Sequence, residues 1–291
     1  MKIYLSIIIP SFNSEKFITE TLDSVCLKTQ HQIEIIVVDA ASNDNTLNIL
    51  DKYKESIDVL ISEPDEGQAN AIQKGFRIAK GKYVTWINSD DTLELNNVLY
   101  NCEFLENNEE YSLIYGDIKI IDEYSRDIAT WSGRKEVGSI ILKPYFSIPQ
   151  QGTVFRKNVV NHIDIEDLNL HYVFDRFLFI RCLDEYKSYY RSGFLGSFRH
   201  HEISKSIGQI FSWRKEYEKL YDYYILSEKN SIRKLNIKFI KYYFSFIYSV
   251  KERNFLMLMY SIINIIFSVP HFKSLNNIIY TFINPYLRKN K

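Results

Sequence analysis

Cysteine is scarce in this chain, and its few cysteines form no pattern. Of 291 residues only three are cysteine, at positions 26, 102 and 182, with no CxxC pair and no spacing typical of a metal site. An odd number of scattered cysteines is typical of a reducing compartment rather than of a disulfide-linked domain. The N-terminus also lacks a basic region followed by a long apolar run, so no signal peptide is predicted. We therefore expect a cytoplasmic protein.

The chain as a whole also has no net charge at pH 7. Lys+Arg and Asp+Glu each number 36, which argues against a general nucleic-acid-binding protein. The charge is nevertheless uneven, because residues 231–291 contain ten Lys or Arg and one Glu, a net charge of +9. Residues 1–230 therefore carry −9. Such asymmetry predicts that the C-terminal part contacts an anionic surface, which here would be the inner face of the cytoplasmic membrane.

No apolar run is long enough to cross that membrane comfortably. Residues 255–269 form an uncharged stretch of 15 residues, whereas a spanning helix needs about 20. With its basic flanks this stretch fits a helix lying in the membrane interface. It fits equally well a core helix packed on the rest of the chain.

Glycine-rich phosphate-binding motifs are also missing. No GxGxxG follows the first predicted strand, and GxxxxGK[ST] occurs nowhere. Both motifs cradle phosphates in the backbone of a glycine-rich turn. Dinucleotide-binding and P-loop functions therefore lose their main support.

What the chain does contain is a regular alternation of strand and helix patterns. Apolar, β-branched runs predict buried strands at residues 3–10, 33–39, 59–62 and 82–87. Amphipathic patterns between them predict helices at residues 15–28, with Ser14 as N-cap, 46–53 and 69–80. This order predicts an α/β fold with a mostly parallel, Rossmann-like sheet flanked by helices. A composition rich in Tyr, Phe, Ile and Lys predicts a helical extension at residues 213–291, after a domain at residues 1–212.

Acidic residues follow three of these strands. Asp39 ends the second, Asp65 follows the third, and Asp90 and Asp91 follow the fourth. Because parallel strands bring their carboxyl ends to one edge, these loops should converge where open α/β sheets bind ligands. Adjacent carboxylates repel each other, and a hard divalent cation relieves that repulsion. The pattern favours a nucleoside diphosphate held through a metal ion, although Asp90 and Asp91 could instead cap a helix beginning near Thr92.

Four segments, in this order, resemble family-2-type glycosyltransferases with the GT-A fold. They are SIIIPSFNSEKFITETLDSV, IIVVDAASNDNTLNIL, SEPDEGQANAIQKGF and GKYVTWINSDD. The resemblance is close over residues 5–91 and thinner to about residue 206. It implies transfer of a sugar from a nucleotide-sugar, usually with inversion and usually with Mg²⁺ or Mn²⁺.

The resemblance also implies roles for individual residues on the donor side. Those that would border or bind the nucleotide are Pro10, Ser11, Asn13, Asp39, Ser42, Asp65, Asn88 and Ser89. Asn88-Ser89-Asp90-Asp91 matches the family's DxD-type motif, with Asn88 in place of the usual first acid. The metal is therefore assigned to Asp90, with Asp91 as the second candidate. Asp44 is as well explained by a turn, and Asn70 stands where an Asp is common.

On the other side of the site, the resemblance points to a base and to polar contacts. Asp175 matches the position of the usual general base, and its apolar surroundings suit that role. Asp175 could instead have a purely structural role, as a helix N-cap or as the partner of Arg181 in an ion pair. The remaining candidates are Asp117, Gln150 and Gln151 for the sugars, His200 or His201 for the metal or a phosphate, and Arg199 or Lys205 for the diphosphate.

The sequence as a whole predicts a metal-dependent, inverting glycosyltransferase. Its donor would be a nucleotide-sugar, most often UDP-linked in similar proteins, and its acceptor a glycan or lipid-linked hydroxyl in bacterial surface polysaccharide synthesis. Two alternatives stay open: a nucleotidyltransferase acting on sugar phosphates, and a non-catalytic, membrane-associated assembly subunit. The departures at Asn88 and Phe174, where acids are common, keep the second alternative open.

Overall fold

The computed structural model describes residues 4–26, 33–135, 148–201, 210–251 and 255–268. Four parallel strands lie at one side of its sheet: β1 (Leu5–Ser11), β2 (Ile33–Asp39), β3 (Val59–Ser62) and β4 (Tyr83–Trp86). Helices connect them: α1 (Ile18–Val25), α2 (Thr46–Lys52) and α3 (Gln68–Ile78). Continuous burial of β1 and β4 explains their lack of alternating polar residues.

The second half of the sheet is mixed. It contains β5 (Thr92–Leu93), β6 (Tyr111–Ile121), β7 (Asp127–Trp131), β8 (Val154–Arg156) and β9 (Lys187–Arg199). Within the described ranges the strand order is β3-β2-β1-β4-β8-β6-β9-β5, and β7 pairs with β6. Helices α4 (Leu95–Asn107), α5 (Lys157–Val160) and α6 (Phe174–Glu185) complete this part.

Strand register sets the edge of the sheet where the acids lie. Ser11 of β1 is paired with Asp39 of β2, and Asp39 in turn with Ser62 of β3. The last residue of β4, Trp86, is paired with Ile8, so the chain leaves β4 close beside the end of β1. The predicted convergence of these loops at one edge is therefore present.

The core around β4 is aromatic. The Trp86 ring lies 5.9 Å from the rings of both Phe76 and Phe155 and 6.4 Å from Phe179. The buried Glu34 carboxylate in β2 is satisfied, because it accepts hydrogen bonds from Ser6 Oγ at 2.5 Å and Lys80 N at 2.8 Å. A buried charge with such partners costs far less than an unpaired one.

One alternative is ruled out and one local prediction is wrong. Residues 92–93 form β5, which pairs with β9, and the next helix, α4, begins at Leu95 with Glu94 at its N-cap position. Asp90 and Asp91 therefore do not cap a helix there. The first helix begins at Ile18, and Ser14 does not cap it, since the N-cap position is Phe17 without a side-chain hydrogen bond.

Three helices follow: α7 (Ile210–Ser227), α8 (Ser231–Lys251) and α9 (Phe255–Ser268). Contacts divide the described residues into one compact unit up to residue 201 and a second from residue 210 onward. The division at residue 212 stays a prediction. Among the helices described, none is both long and apolar enough to span a bilayer.

Candidate active site

The carboxyl end of β1 presents a polar atom without a partner. Ser11, which follows Pro10, is 4 % exposed, and its Oγ has no hydrogen-bond partner among the described residues. Buried hydroxyls in native proteins nearly always have a partner, so an orphan at a strand end marks a position where a ligand can bind.

Asp39 organises the loop after β2. Its fully buried carboxylate accepts hydrogen bonds from Ser42 N at 2.9 Å, from Ser42 Oγ at 2.5 Å and from Ser62 Oγ at 3.0 Å. These donors fix the carboxylate and leave it lone pairs for a further donor, because an ionised carboxylate has about four acceptor sites.

The loops after β1 and β2 are joined by hydrogen bonds. Asn13 N donates to Ser42 Oγ at 2.8 Å, and Asn13 Oδ1 accepts from Asn43 N at 3.0 Å. Asn13 and Ala41 hold left-handed backbone conformations, with φ of 47° and 54°. Such conformations cost energy in non-glycine residues, so the surrounding contacts maintain the shape of both loops.

Asp44 supports the same pair of loops. It accepts hydrogen bonds from Glu15 N at 3.1 Å and Thr46 N at 2.9 Å. Partial burial acts to raise the pKa of Asp44, but the hydrogen bonds, those of Thr46 foremost, outweigh it, and the pKa lies below its usual value. The described contacts of Asp44 therefore stabilise a turn.

The loop after β3 forms another turn at this edge. Asp65 Oδ1 accepts a hydrogen bond from Gly67 N at 2.8 Å. Gly67 has φ of 113°, which a side chain would strain, and an added Cβ would lie 3.1 Å from His171 Nδ1. Asn70 Nδ2 donates to Glu166 Oε1 at 2.6 Å, so Asn70 links α3 to the segment before α6.

Residues 88–91, here called the acidic turn, follow β4. Asn88 Oδ1 accepts from Gln68 Nε2 at 2.6 Å, and Ser89 Oγ lies 2.6 Å from Ser14 Oγ. These contacts connect the turn to α3 and to the loop after β1. Asn88 supplies an amide rather than a carboxylate, so it adds hydrogen-bonding capacity without charge.

The two carboxylates of the acidic turn differ in their surroundings. Asp91 is fully buried and accepts hydrogen bonds from Gln151 Nε2 at 2.9 Å, Asn88 Nδ2 at 3.1 Å and Arg199 N at 2.8 Å. Burial, and then the neighbouring Asp90, raises the pKa of Asp91 well above its usual range. Asp91 is enclosed by protein donors, whereas the Asp90 side chain is 30 % exposed.

A histidine from the end of β9 lies beside Asp90. His201 Nε2 is 3.0 Å from Asp90 Oδ2, and the His201 ring packs 4.8 Å from the ring of Phe17. His200 is exposed, and its main-chain N donates to Ile121 O at 2.8 Å. Of the two histidines, His201 is therefore the one that the structure brings to Asp90.

Asp90 and His201 suit a divalent cation that also contacts a diphosphate. The described ranges contain no group of three or more His, Cys, Asp or Glu side chains that could hold a metal without a ligand's help. Mg²⁺ is commonly bound through one or two carboxylates together with substrate phosphates. The Asp90 carboxylate lies at the sheet edge where open α/β sheets bind ligands and fits that pattern, with the His201 imidazole as a second ligand.

Of the two candidates for diphosphate binding, Arg199 and Lys205, the structure describes only Arg199. Arg199 is fully buried, and its guanidinium contacts protein acceptors, including Asp90 O at 2.8 Å. Lys205 lies outside the described residues. The buried environment of Arg199 favours a role in holding the acidic turn.

Asp117, Gln150 and Gln151 all contact the protein. Asp117 accepts hydrogen bonds from Gly133 N, Gly193 N and Tyr190 Oη at 2.9–3.1 Å. Gln150 Nε2 donates to Trp86 O at 2.7 Å, as Gln151 does to Asp91. The contacts of Asp117 link β6 to β9 and to Gly133, whereas Gln151 links the segment before β8 to the acidic turn.

Asp175 lies in the first turn of α6, two residues after the N-cap position at Val173. Its Oδ1 accepts a hydrogen bond from Arg176 N at 2.7 Å, and the neighbouring Phe174, Phe177 and Leu178 are buried. Arg181 pairs with Glu185 at 3.2 Å. Asp175 is thus a half-buried carboxylate at an apolar helix start.

Sequence reasoning missed one residue of this edge, Phe12. Its ring is 61 % exposed although it directly follows the buried β1. An exposed aromatic ring between Ser11 and Asn13 provides a flat apolar surface next to polar groups. The signal was present in the sequence as an aromatic residue inside a turn.

This sheet and site define a glycosyltransferase with the GT-A fold, and the comparison with known proteins identifies the family. The model of glycosyl transferase family 2 matches residues 6–162, and the chain belongs to that family. It is similar to a PGL/p-HBAD biosynthesis glycosyltransferase of Mycobacterium bovis, with 26% identity over 181 residues, 61% of this chain and 68% of the relative. The family prediction is confirmed, and the nucleotidyltransferase alternative loses its basis.

Solved structures confirm the predicted fold class. The chain resembles S. aureus TarS in complex with UDP-GlcNAc, with a TM-score of 0.65, 19% identity and coverage of 93% of this chain and 82% of that one. It also resembles the mannosyltransferase PcManGT from Pyrobaculum calidifontis in complex with GDP-Man and Mn2+. There the TM-score is 0.61 at 14% identity, over 91% of this chain and 74% of the other. At these identities the likeness defines the fold.

Proposed function

We propose that this protein transfers a sugar, with inversion, from a UDP-sugar to a hydroxyl of a glycan or lipid-linked acceptor, using Mn²⁺ or Mg²⁺. The observation that carries the proposal is the Asp90–His201 pair, 3.0 Å apart and partly exposed at the carboxyl ends of the parallel strands. Further support comes from two structural neighbours. TarS is in complex with UDP-GlcNAc, and PcManGT is in complex with GDP-Man and Mn2+. Surface polysaccharide synthesis is the pathway that we propose for it.

The donor nucleotide would lie along the ends of β1, β2 and β4. Ser11 Oγ is a buried hydroxyl with no hydrogen-bond partner in the part of the chain that the structure describes, Asp39 retains acceptor capacity, and Phe12 offers a ring on which a base can stack. Asn13, Ser42, Asp65, Asn88 and Ser89 would shape this surface through the hydrogen bonds described above. Stacking on one face and hydrogen bonds at the edge are how proteins commonly hold a base.

Asp90 and His201 would hold the cation, and diphosphate oxygens would complete its coordination. A cation bound there would offset the negative charge that develops on the departing diphosphate. Asp91, His200 and Lys205 remain candidates for this region. The proposal gives Asp91 mainly the task of supporting Asp90, because Asp91 is enclosed.

Asp175 would act as the base. Its carboxylate takes the proton of the acceptor hydroxyl while that oxygen attacks the anomeric carbon from the side opposite the diphosphate. The new carbon–oxygen bond forms as the bond to the diphosphate breaks, so the anomeric configuration inverts. Asp117, Gln150 and Gln151 would support the sugar side of the site through the strands that they connect.

A lipid-linked acceptor would explain the C-terminal helices. Residues 231–291 carry a net charge of +9, and α9 has no charged residue. Met259, Tyr260 and Ile263 of α9 are each more than 40 % exposed. Apolar side chains with basic surroundings are typical of helices that lie on anionic membranes, and we propose this contact at the inner face of the cytoplasmic membrane.

The proposed function is tested by measuring nucleotide-sugar binding by calorimetry, with and without Mn²⁺, over a panel of UDP-, GDP- and dTDP-sugars. We expect one donor to bind only with the metal and Asp90→Ala to abolish that binding. Asp51→Ala, an exposed carboxylate on α2, is the matched control and should bind normally. If folded wild-type protein with metal bound no donor, a non-catalytic role would be favoured instead.

A further inference from the structure

The buried guanidinium of Arg199 lies directly behind the acidic turn. Arg199 is fully buried, which is rare for arginine without partners. Its Nε donates to the main-chain oxygen of Asp90 at 2.8 Å, and its own main-chain N donates to Asp91 Oδ1 at 2.8 Å. One residue therefore contacts the backbone of one acid and the side chain of the next.

The rest of the guanidinium reaches two other segments. Nη1 donates to Asp122 O at 3.2 Å and to Ser125 Oγ at 2.9 Å, both in the turn between β6 and β7. Nη2 pairs with Glu20 Oε2 of α1 at 2.7 Å. Arg199 thus ties the acidic turn to α1 and to the β6–β7 turn.

An aromatic contact extends this arrangement to the histidine. The Arg199 guanidinium lies 4.7 Å from the centre of the Phe17 ring, and the Phe17 ring lies 4.8 Å from that of His201. A guanidinium over a ring is attracted by the π-electrons. The orientations of Asp90 and His201 therefore share one support.

We propose that Arg199 is a positioning residue of the donor site, which holds the Asp90 main chain and, through Phe17, the His201 ring so that both face one ligand. The inference rests on the proposed metal-dependent donor site. The planar fork of arginine serves several acceptors in fixed directions, which the single ammonium of lysine cannot do. A site needs its groups held within about 0.5 Å, and supporting residues provide that accuracy.

Glu20 gives a second way to test this support. Its side chain is 47 % exposed, so Glu20→Gln keeps the size and should not prevent folding. Burial acts to raise the pKa of Glu20, but hydrogen bonds from Ser125 and Arg199 outweigh it, so the pKa lies below its usual value. The ion pair with Arg199 is therefore present at neutral pH, and the substitution removes it.

The experiment titrates Mn²⁺ by electron paramagnetic resonance, alone and with UDP, GDP or dTDP in turn. We expect Arg199→Lys to weaken nucleotide-dependent Mn²⁺ binding by about 10–100-fold, the usual effect of losing an outer-shell partner. Glu20→Gln should weaken it in the same direction but less, and the donor KM should rise more than kcat falls. Arg126→Lys is the control, because Arg126 lies in the same β6–β7 turn but is 71 % exposed, and it should bind Mn²⁺ normally.

The outcomes separate the two proposals. If wild-type protein bound no Mn²⁺ with any nucleotide, the donor site itself would be refuted and the inference with it. If wild type bound Mn²⁺ and both variants bound it equally well, with only a lower melting temperature, Arg199 would be structural and the positioning role refuted. Should Arg199→Lys fail to fold, Glu20→Gln decides by the same criterion.

Discussion

At the scale of single residues, two adjacent carboxylates of one turn have different surroundings. Asp91 is enclosed by three donors, and Asp90 is open enough for a ligand to reach. The three hydrogen bonds hold the Asp91 side chain in place. Because Asp90 is its neighbour in the chain, we infer that they also restrict the main chain of Asp90. The resemblance to the DxD-type motif put Asp90 before Asp91 as a metal ligand, but the enclosure of Asp91 is visible only in the structure.

Asp175→Asn is expected to keep donor binding and to lose turnover. Asparagine has the shape of aspartate but cannot accept the proton, and a general base contributes about 10²–10⁴-fold to rate. The measurements are kcat with the donor that the panel selects and the Kd of that donor. Asp184→Asn, an exposed acid on the same helix α6, is the control. A near-normal kcat for Asp175→Asn would show that another group is the base; the acids that precede it most closely in sequence are Asp164, Glu166 and Asp167.

At the scale of elements, α3 packs so closely on β1 that one added methyl group should destabilise the fold. A Cβ added at Gly75 of α3 would lie 2.4 Å from Ile8 Cγ2 of β1 and 3.2 Å from Ile8 Cβ. Although alanine favours helices over glycine by about 1 kcal/mol, overpacking typically costs about 1–3 kcal/mol. We expect Gly75→Ala to lower the free energy of unfolding, measured by urea denaturation.

The control for Gly75→Ala is Arg77→Ala in the same helix. The Arg77 side chain is 57 % exposed, and its ion pairs with Asp164 and Glu166 are long, at 3.6 and 3.5 Å. Exposed pairs of this kind contribute about 0–1 kcal/mol. If Gly75→Ala were as stable as wild type or more stable, α3 could move away from Ile8 of β1 without a cost in the free energy of unfolding.

The sequence predicted the regular elements better than the connections between them. Strands β2 and β3 were predicted with their observed limits, because their apolar runs are bounded by turn residues. Strand β5 could not be predicted, because residues 92–93 pair with β9, a strand about a hundred residues later. Local patterns do not contain such pairing.

Candidate site residues divide in the same way. The acids at strand ends could be predicted, since parallel strands bring these ends together. The environment of Arg199 could not, because its acceptors Asp90, Asp122 and Glu20 lie 109, 77 and 179 residues away in sequence. The local sequence around Arg199 does not show which of these distant groups it contacts.

At the scale of the whole molecule, the proposed membrane contact can be tested by liposome flotation of the 291-residue chain. We expect flotation with vesicles containing phosphatidylglycerol, weak flotation with phosphatidylcholine alone, and loss of binding at high salt. Met259→Ser combined with Ile263→Asn should reduce flotation, because both side chains belong to the exposed apolar face of α9.

Leu226→Ser is the matched control for this experiment. Leu226 is an apolar residue of α7 that is 82 % exposed, outside the α9 face. It should leave flotation unchanged. Equal flotation of the α9 double variant and wild type would show that this face does not contact lipid.

The joined loops after β1 and β2 have a thermodynamic consequence. Asn13 and Ala41 already hold backbone angles that non-glycine residues rarely adopt, and hydrogen bonds between the loops keep them there. The entropy lost in ordering these loops is therefore a cost of folding rather than of binding. A nucleotide entering a surface shaped in advance is selected by its fit to that surface, since little rearrangement of these loops would be available to accommodate a poorer one.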